Sequence, residues 1–190
     1  MSHKNKKKIY NMKIIGKKLV YKGEYLKVIQ KEYLTKTKKR GNWDYIERKG
    51  AVIIFALTKE KEVILEKIFR IPLGSFSLEL PAGMLDKKGE SARQAAKREL
   101  LEETGYLAKK LTPVFQWPLE PSLVPDEAIL FFAPDVEFKE KTDGEDSEEI
   151  EVLKVPLEKL EEFLLESKKD MTVDLKIFGA LSILQNKKFV

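Results

Sequence analysis

From Ser91 to Gly105 the chain spells a helix with both ends marked and an unusual face. Ser91, with Gln94 three residues on, has the form of a capping box, and Gly105 stands where a left-handed C-terminal cap belongs. At 3.6 residues per turn, Ala92, Ala96, Glu99 and Glu103 share one stripe, with Ala95 beside it. The alanines let the helix approach a flat partner closely, and the same stripe then continues as carboxylate. Such a helix needs a sheet to lie on.

The flanking segments supply one. Ile14 to Thr35 is rich in β-forming residues and is interrupted at Gly23, as a hairpin requires. A basic turn over Lys36 to Asn42 leads into a strand at Trp43. Ala51 to Leu57 is an unbroken apolar run of strand length and reads as a central strand. Val63 to Phe69 and Phe76 to Leu80 follow, the latter stopped by Pro81. Beyond the helix, Leu107 to Trp117, Ala128 to Val136 and Ile150 to Val155 read as strands. Pro156 to Ser167 and Val173 to Leu184 read as helices. This order predicts an α+β fold, a mixed α/β/α sandwich with an N-terminal antiparallel β subdomain. The domain reading is a lysine-rich tail over 1–11, the β subdomain over 12–48 and the main domain over 49–190.

Composition removes several function classes. Of 36 basic residues, seven are lysines within residues 1–18, which hold no carboxylate; the remaining 29 face 31 acidic residues. The formal charge of +5 therefore comes from the start of the chain and argues poorly for a nucleic-acid-binding body. There is no cysteine, and the one histidine, His3, lies in the tail, so thiolate chemistry, a zinc site or a histidine triad has nothing to stand on. No apolar run has the length of a membrane span, and no apolar segment follows the basic start as in a signal peptide. A cytoplasmic protein is expected.

Chemistry must then rest on oxygen donors and cations. Glu90, Glu99, Glu102 and Glu103 crowd around a single Arg98, which cannot neutralise them all. Like charges at i and i+4 disfavour a helix, and burying them costs more unless a cation compensates. A hard divalent ion such as Mg²⁺ takes oxygen ligands and bridges readily to phosphate.

The segment from Leu78-Glu79-Leu80-Pro81-Ala82-Gly83 through Glu90 to Arg98-Glu99-Leu100-Leu101-Glu102-Glu103-Thr104-Gly105-Tyr106 resembles the signature of the Nudix hydrolases. Six residues separate Gly83 from Glu90 where the family has five, the extra one falling in the Asp86–Gly89 turn. The flanks resemble the ADP-ribose pyrophosphatase branch: Leu-Glu-Leu-Pro-Ala-Gly before the loop, and Pro121 near that branch's marker proline.

The resemblance implies Mg²⁺-dependent hydrolysis of a nucleoside diphosphate sugar, foremost ADP-ribose to AMP and ribose 5-phosphate, with Mn²⁺ as an alternative ion. It implies Glu99, Glu103 and the Ala82 carbonyl as metal ligands, supported by Glu102. From the acidic loop it implies Glu148 as a ligand, with Asp146 or Glu145 as the base. Gly83, Glu90, Arg98 and Gly105 would be structural, Arg98 pairing with Glu90. Arg70 would contact phosphate, Trp43 would stack on adenine, Glu79 would hold Arg70 or a metal, and Pro121 would mark the substrate loop. The branch commonly forms homodimers through its N-terminal strands. GDP-mannose, another nucleotide sugar or a nucleoside triphosphate are the alternative substrates. A non-enzymatic nucleotide or RNA binder is the alternative of another class.

Overall fold

A computed structural model describes residues 12–24, 26–140 and 150–190. The chain divides into two compact units, one comprising the residues up to Arg48 with Pro118–Asp126, the other Lys49–Trp117 with Glu127–Val190.

In the first unit, β1 (Lys13–Lys22), β2 (Lys27–Leu34) and β3 (Arg40–Glu47) form an antiparallel three-stranded sheet in sequence order. β3 begins three residues before Trp43, because the turn closes within Thr35–Lys39, where Lys38 adopts positive φ and Lys39 N–H donates to the Thr35 hydroxyl.

The second unit is built on β4 (Ala51–Thr58), β5 (Glu62–Arg70), β6 (Ser75–Glu79), β7 (Ala82–Met84) and β8 (Tyr106–Leu107), with β9 (Thr112–Glu120) up to Trp117 and β10 (Val124–Phe138) from Glu127. It also contains β11 (Ile150–Pro156) and β12 (Thr172–Val173), and the helices α1 (Ala92–Thr104), α2 (Leu160–Ser167) and α3 (Lys176–Asn186). The sheet is mixed: β4 runs parallel to β10 and antiparallel to β5 and β7, while β5 lies between β6 and β11. Every residue of β4 from Val52 to Leu57 is at most 2% exposed. Burial on both faces explains why this strand is an unbroken apolar run rather than an alternating one.

The even-numbered residues of β4, Val52, Ile54 and Ala56, share a core with Ala95, Ala96 and Leu100 of α1 and with Phe131 and Ala133 of β10. Phe132, on the alternate face of β10, meets Phe189 just beyond α3 with ring centroids 5.4 Å apart. Helices therefore cover both faces of the sheet, as the α/β/α expectation requires.

Other boundaries differ from expectation too: β7 is a strand the sequence reading does not foresee, and β10 begins at Val124 rather than Ala128. The run after the helix is two strands, since Ala108 and Leu111 turn inward and are buried in the core, with the Arg93 guanidinium on the Leu111 carbonyl. Pro156 ends β11 opposite Glu62, and a 3₁₀ turn (Leu157–Lys159) precedes α2. Thr172 and Val173 pair in parallel with Ser77 and Leu78, so their backbone bonds go to the sheet and α3 starts only at Lys176, whose N–H donates to Asp174 Oδ1 at 2.9 Å.

Candidate active site

The cap of α1 is as read. Ser91 accepts from Gln94 N–H, the Gln94 side chain accepts from Ser91 N–H at 2.9 Å, and Gly105 terminates the helix at φ 76. This fixes where the carboxylates of the last two turns project. Their neighbour is β7, which pairs Ala82 with Ile53, Gly83 with Val52 and Met84 with Ala51. The helix lies so close to β7 that a Cβ on Gly83 would fall onto the Glu99 side chain, at its Cγ and carboxylate. Glycine is required here for close approach rather than for backbone freedom. One residue earlier, Ala82 N–H donates to Glu103 Oε2 at 3.2 Å. The loop before the helix turns at its end: Glu90 N–H reaches the Lys87 carbonyl at 3.2 Å and Gly89 takes φ 82 with open space around it.

Arg98 is the hub. Its Nε and Nη2 donate to the two Glu90 oxygens at 2.9 and 3.1 Å, Nη1 to Glu102 at 2.8 Å, and Nη2 lies 2.8 Å from Glu99 Oε1. The Arg98–Glu90 fork ties the loop to the helix. The Arg98 hydrogen bonds hold the Glu90 carboxyl below the usual carboxylate range. Glu99 is pushed the other way: its burial outweighs the nearby guanidinium, and Glu102 adds to the rise. Glu103 is raised far more, first by burial, then by the charges of Glu66 and Glu99.

Arg70 forks onto Glu79, Nε to Oε1 and Nη2 to Oε2, both at 2.9 Å. Burial pushes the Glu79 carboxyl up, but its bonds to Arg70 and Ser77 bring it below its ordinary value. Trp43, in the other unit, is 54% exposed, and its indole N–H donates to the Ser122 carbonyl at 2.8 Å, next to Pro121. The same segment is tied again by Ile46 N–H to the Leu123 carbonyl at 2.8 Å. Glu145, Asp146 and Glu148 lie outside the described residues.

The sequence reading overlooked Glu66. It is 2% exposed in the middle of β5, and its charge helps push the Glu103 carboxyl up. A lone carboxylate within the run Val63 to Ile68 was the available signal, but only the tertiary structure places it behind the helix motif.

Residues 47–175 match the model of the NUDIX domain. An ADP-ribose pyrophosphatase of Bacillus subtilis (strain 168) is 33% identical over 177 residues, covering 93% of this chain and 94% of that protein. The chain belongs to the Nudix family. A methanol dehydrogenase activator of Bacillus methanolicus is 26% identical over 179 residues, covering 94% and 95%. The crystal structure of an ADP compounds hydrolase superposes with a TM-score of 0.81 over 95% of this chain and 96% of that one, at 22% identity, and shares the fold. The chain is thus a Nudix-type hydrolase, and such hydrolases generally use a divalent metal.

The residues fit such an ion. The donor set is all oxygen, suited to a hard cation, and the absent Cβ at Gly83 leaves Glu99 room against the Ala82–Gly83 backbone. Among the described residues no three carboxylates converge as a ready-made cage, and Arg98 is paired with both Glu99 and Glu102.

The raised Glu103 carboxyl makes metal binding pH-dependent. Its ordinary value is 4.5. Above that pH an unfolded chain loses the proton that the folded, metal-free protein keeps, so metal-free stability falls as pH rises toward the elevated folded value. A cation must displace the same proton, so its affinity grows with pH. Calorimetric Mn²⁺ titrations in buffers of different ionisation enthalpy are expected to show proton release. The melting-temperature gain from Mn²⁺ is expected to be larger at pH 8.5 than at pH 6.

Proposed function

We propose that this chain is a Mg²⁺-dependent pyrophosphatase of nucleoside diphosphate sugars, acting foremost on ADP-ribose to give AMP and ribose 5-phosphate. The observation that carries the metal-dependent part is the close seat of α1 on β7, with Gly83 admitting Glu99 and the Ala82 N–H holding Glu103. The full-length similarity to an ADP-ribose pyrophosphatase supports the substrate.

Glu99, Glu103 and the Ala82 carbonyl would hold the ion, with Glu102 beside them and Glu148 as the further ligand. When bound, the ion neutralises the pyrophosphate and lowers the pKa of a water. Mn²⁺ substitutes for Mg²⁺. Asp146 or Glu145 takes the proton of the attacking water. Arg98, forked onto Glu90, keeps the loop on the helix. Arg70, kept rigid by Glu79, binds substrate phosphate through its planar guanidinium. Trp43 stacks on the adenine with its indole held edge-on by Ser122, in the loop that Pro121 marks. The protein acts as a cytoplasmic homodimer through its N-terminal strands.

The testing experiment is a substrate panel with Mg²⁺: ADP-ribose, GDP-mannose, NADH, diadenosine polyphosphates and nucleoside triphosphates. ADP-ribose is expected to show the highest kcat/KM, and dominant triphosphate turnover sinks the assignment. Trp43→Ala is expected to raise the KM for ADP-ribose by about tenfold, from loss of roughly 1–3 kcal/mol of stacking, with a smaller change in kcat. An unchanged KM removes Trp43 from the base site.

A further inference from the structure

The three-stranded sheet of the first unit has two unlike faces. Cross-strand pairing gathers Lys17, Lys22, Lys27 and Lys31 on one of them, where Glu47 is the one carboxylate among the described strand residues. The other face carries Lys13, Lys18 and Arg40 against Glu32 and Asp44, with Arg40 Nη1 at 3.0 Å from Glu32. The cationic face is also the face of Trp43. Lys17 pairs with Lys31 and Lys31 with Trp43, so the three form one row across the sheet. Within that row Lys17 is taken by Glu47 at 2.7 Å. Lys31 is half-buried, and its ammonium lies 4.4 Å from the centre of the buried Tyr45 ring. Among the described residues no carboxylate forms an ion pair with it. Drawing an ammonium partly out of water without an anion is costly, and an aromatic face offsets only part of that cost.

The indole is fixed from the opposite side. Ile46 N–H donates to Leu123 along the edge of β3 away from β2, and the Trp43 ring N–H donates to Ser122 in the same segment. Lys31 stands on the β2 side, one strand spacing from Trp43, or about 4.8 Å. A nucleoside stacked on the indole face therefore has a cation waiting beside its sugar. The diphosphate is already provided for by the ion and Arg70, so the cation beside the base calls for a further anion.

We propose that Lys31 is a specificity-determining residue, receiving a phosphate ester on the 2′ or 3′ hydroxyl of the nucleoside stacked on Trp43. The substrates it favours are ADP-ribose derivatives that carry this third phosphate. A lysine suits that task, as a point charge that meets a phosphate without a fixed bidentate geometry. The inference rests on the base-stacking role of Trp43 proposed above.

The test is titration calorimetry at one fixed Mg²⁺ concentration with AMP, adenosine 2′,5′-bisphosphate and adenosine 3′,5′-bisphosphate. It uses the full chain and the variants Lys31→Met, Lys31→Gln, Lys31→Arg, Lys18→Met and Trp43→Ala. The parent is expected to bind one bisphosphate about tenfold or more tighter than AMP, from a charge-assisted contact, and the better ligand names the hydroxyl. Lys31→Met keeps the apolar stem over Tyr45 and is expected to lose this preference while binding AMP like the parent. Lys31→Gln serves should the Met variant fail to fold. Lys31→Arg keeps the charge and is expected to keep the preference. Lys18→Met, on the opposite face, is expected to match the parent with all three ligands. Added salt is expected to shrink the preference of the parent, because the contact is between exposed charges.

Equal affinity of the parent for AMP and both bisphosphates overturns the proposal. So does a preference that survives in folded Lys31→Met or Lys31→Gln. Failure of the base-stacking reading is seen separately, as a Trp43→Ala variant that binds AMP like the parent, and it takes the inference with it.

Discussion

Glu103→Gln is expected to reduce ADP-ribose turnover on the order of a thousandfold, more than the roughly 10–100-fold that losing a partner behind a ligand costs. The protein is expected to stay folded. In the metal-free state the Glu103 carboxyl is buried and pushed well above the usual carboxylate range by that burial and by Glu66 and Glu99. It sits there largely neutral, so a neutral amide of the same size fits with little strain. The Gln keeps an oxygen for the Ala82 N–H, which reaches Glu103 Oε2 at 3.2 Å. What it loses is the ability to become an anion when a cation arrives. Steady-state kinetics with Mg²⁺, with circular dichroism and melting beside them, check this. Parent-like turnover in a folded Glu103→Gln protein would remove the metal assignment.

Gly83→Ala is the second large effect, and it isolates geometry from charge. The added methyl would occupy the space of the Glu99 side chain from its Cγ to its carboxylate. No positive φ is needed at Gly83, so the strand accepts an alanine and β7 keeps its pairing with β4. The side chain of Glu99 must move, because the backbone on both sides is held by the sheet and by the packed alanines of α1. Mn²⁺ affinity and kcat/KM are expected to fall about 10–100-fold with little change in melting temperature. Gly89→Ala offers the opposite pattern. Gly89 has φ 82 and nothing near its missing Cβ. Alanine there should cost about 1 kcal/mol of stability, visible as a lower melting temperature, and leave metal affinity alone. Equal behaviour of the two variants would remove the close-approach argument for Gly83.

Much of this site was legible in advance because it is local. A capping box, a left-handed cap and carboxylates at i and i+4 are set within a few residues, and the structure places Ser91, Gln94 and Gly105 accordingly. The Arg98–Glu90 pair spans only eight positions and was also readable. Other features were not. The strand at Thr172–Val173 exists because Ser77 and Leu78 offer it a parallel edge, and no property of its own two residues demands that. The anchoring of Trp43 at Ser122 joins segments 79 residues apart. Ala108 and Leu111 interrupt a stretch of strand-forming sequence because α1 needs cover, a matter of packing that overrides propensity.

The chain's own order of residues thus determined the helix, its caps, the oxygen-only character of its chemistry and the apolar strand on which the helix lies. Those follow from spacing, side-chain type and backbone conformation over short distances. The tertiary structure decided which carboxylates are buried and what each one touches. Glu99 and Glu103 sit on the same helix stripe, yet Glu99 is held by Arg98 while Glu103 takes the Ala82 N–H and is pushed up by its burial and by the charge of the buried Glu66. Exclusion of water and the approach of a distant strand set that difference, and neither is written in the spacing of the motif.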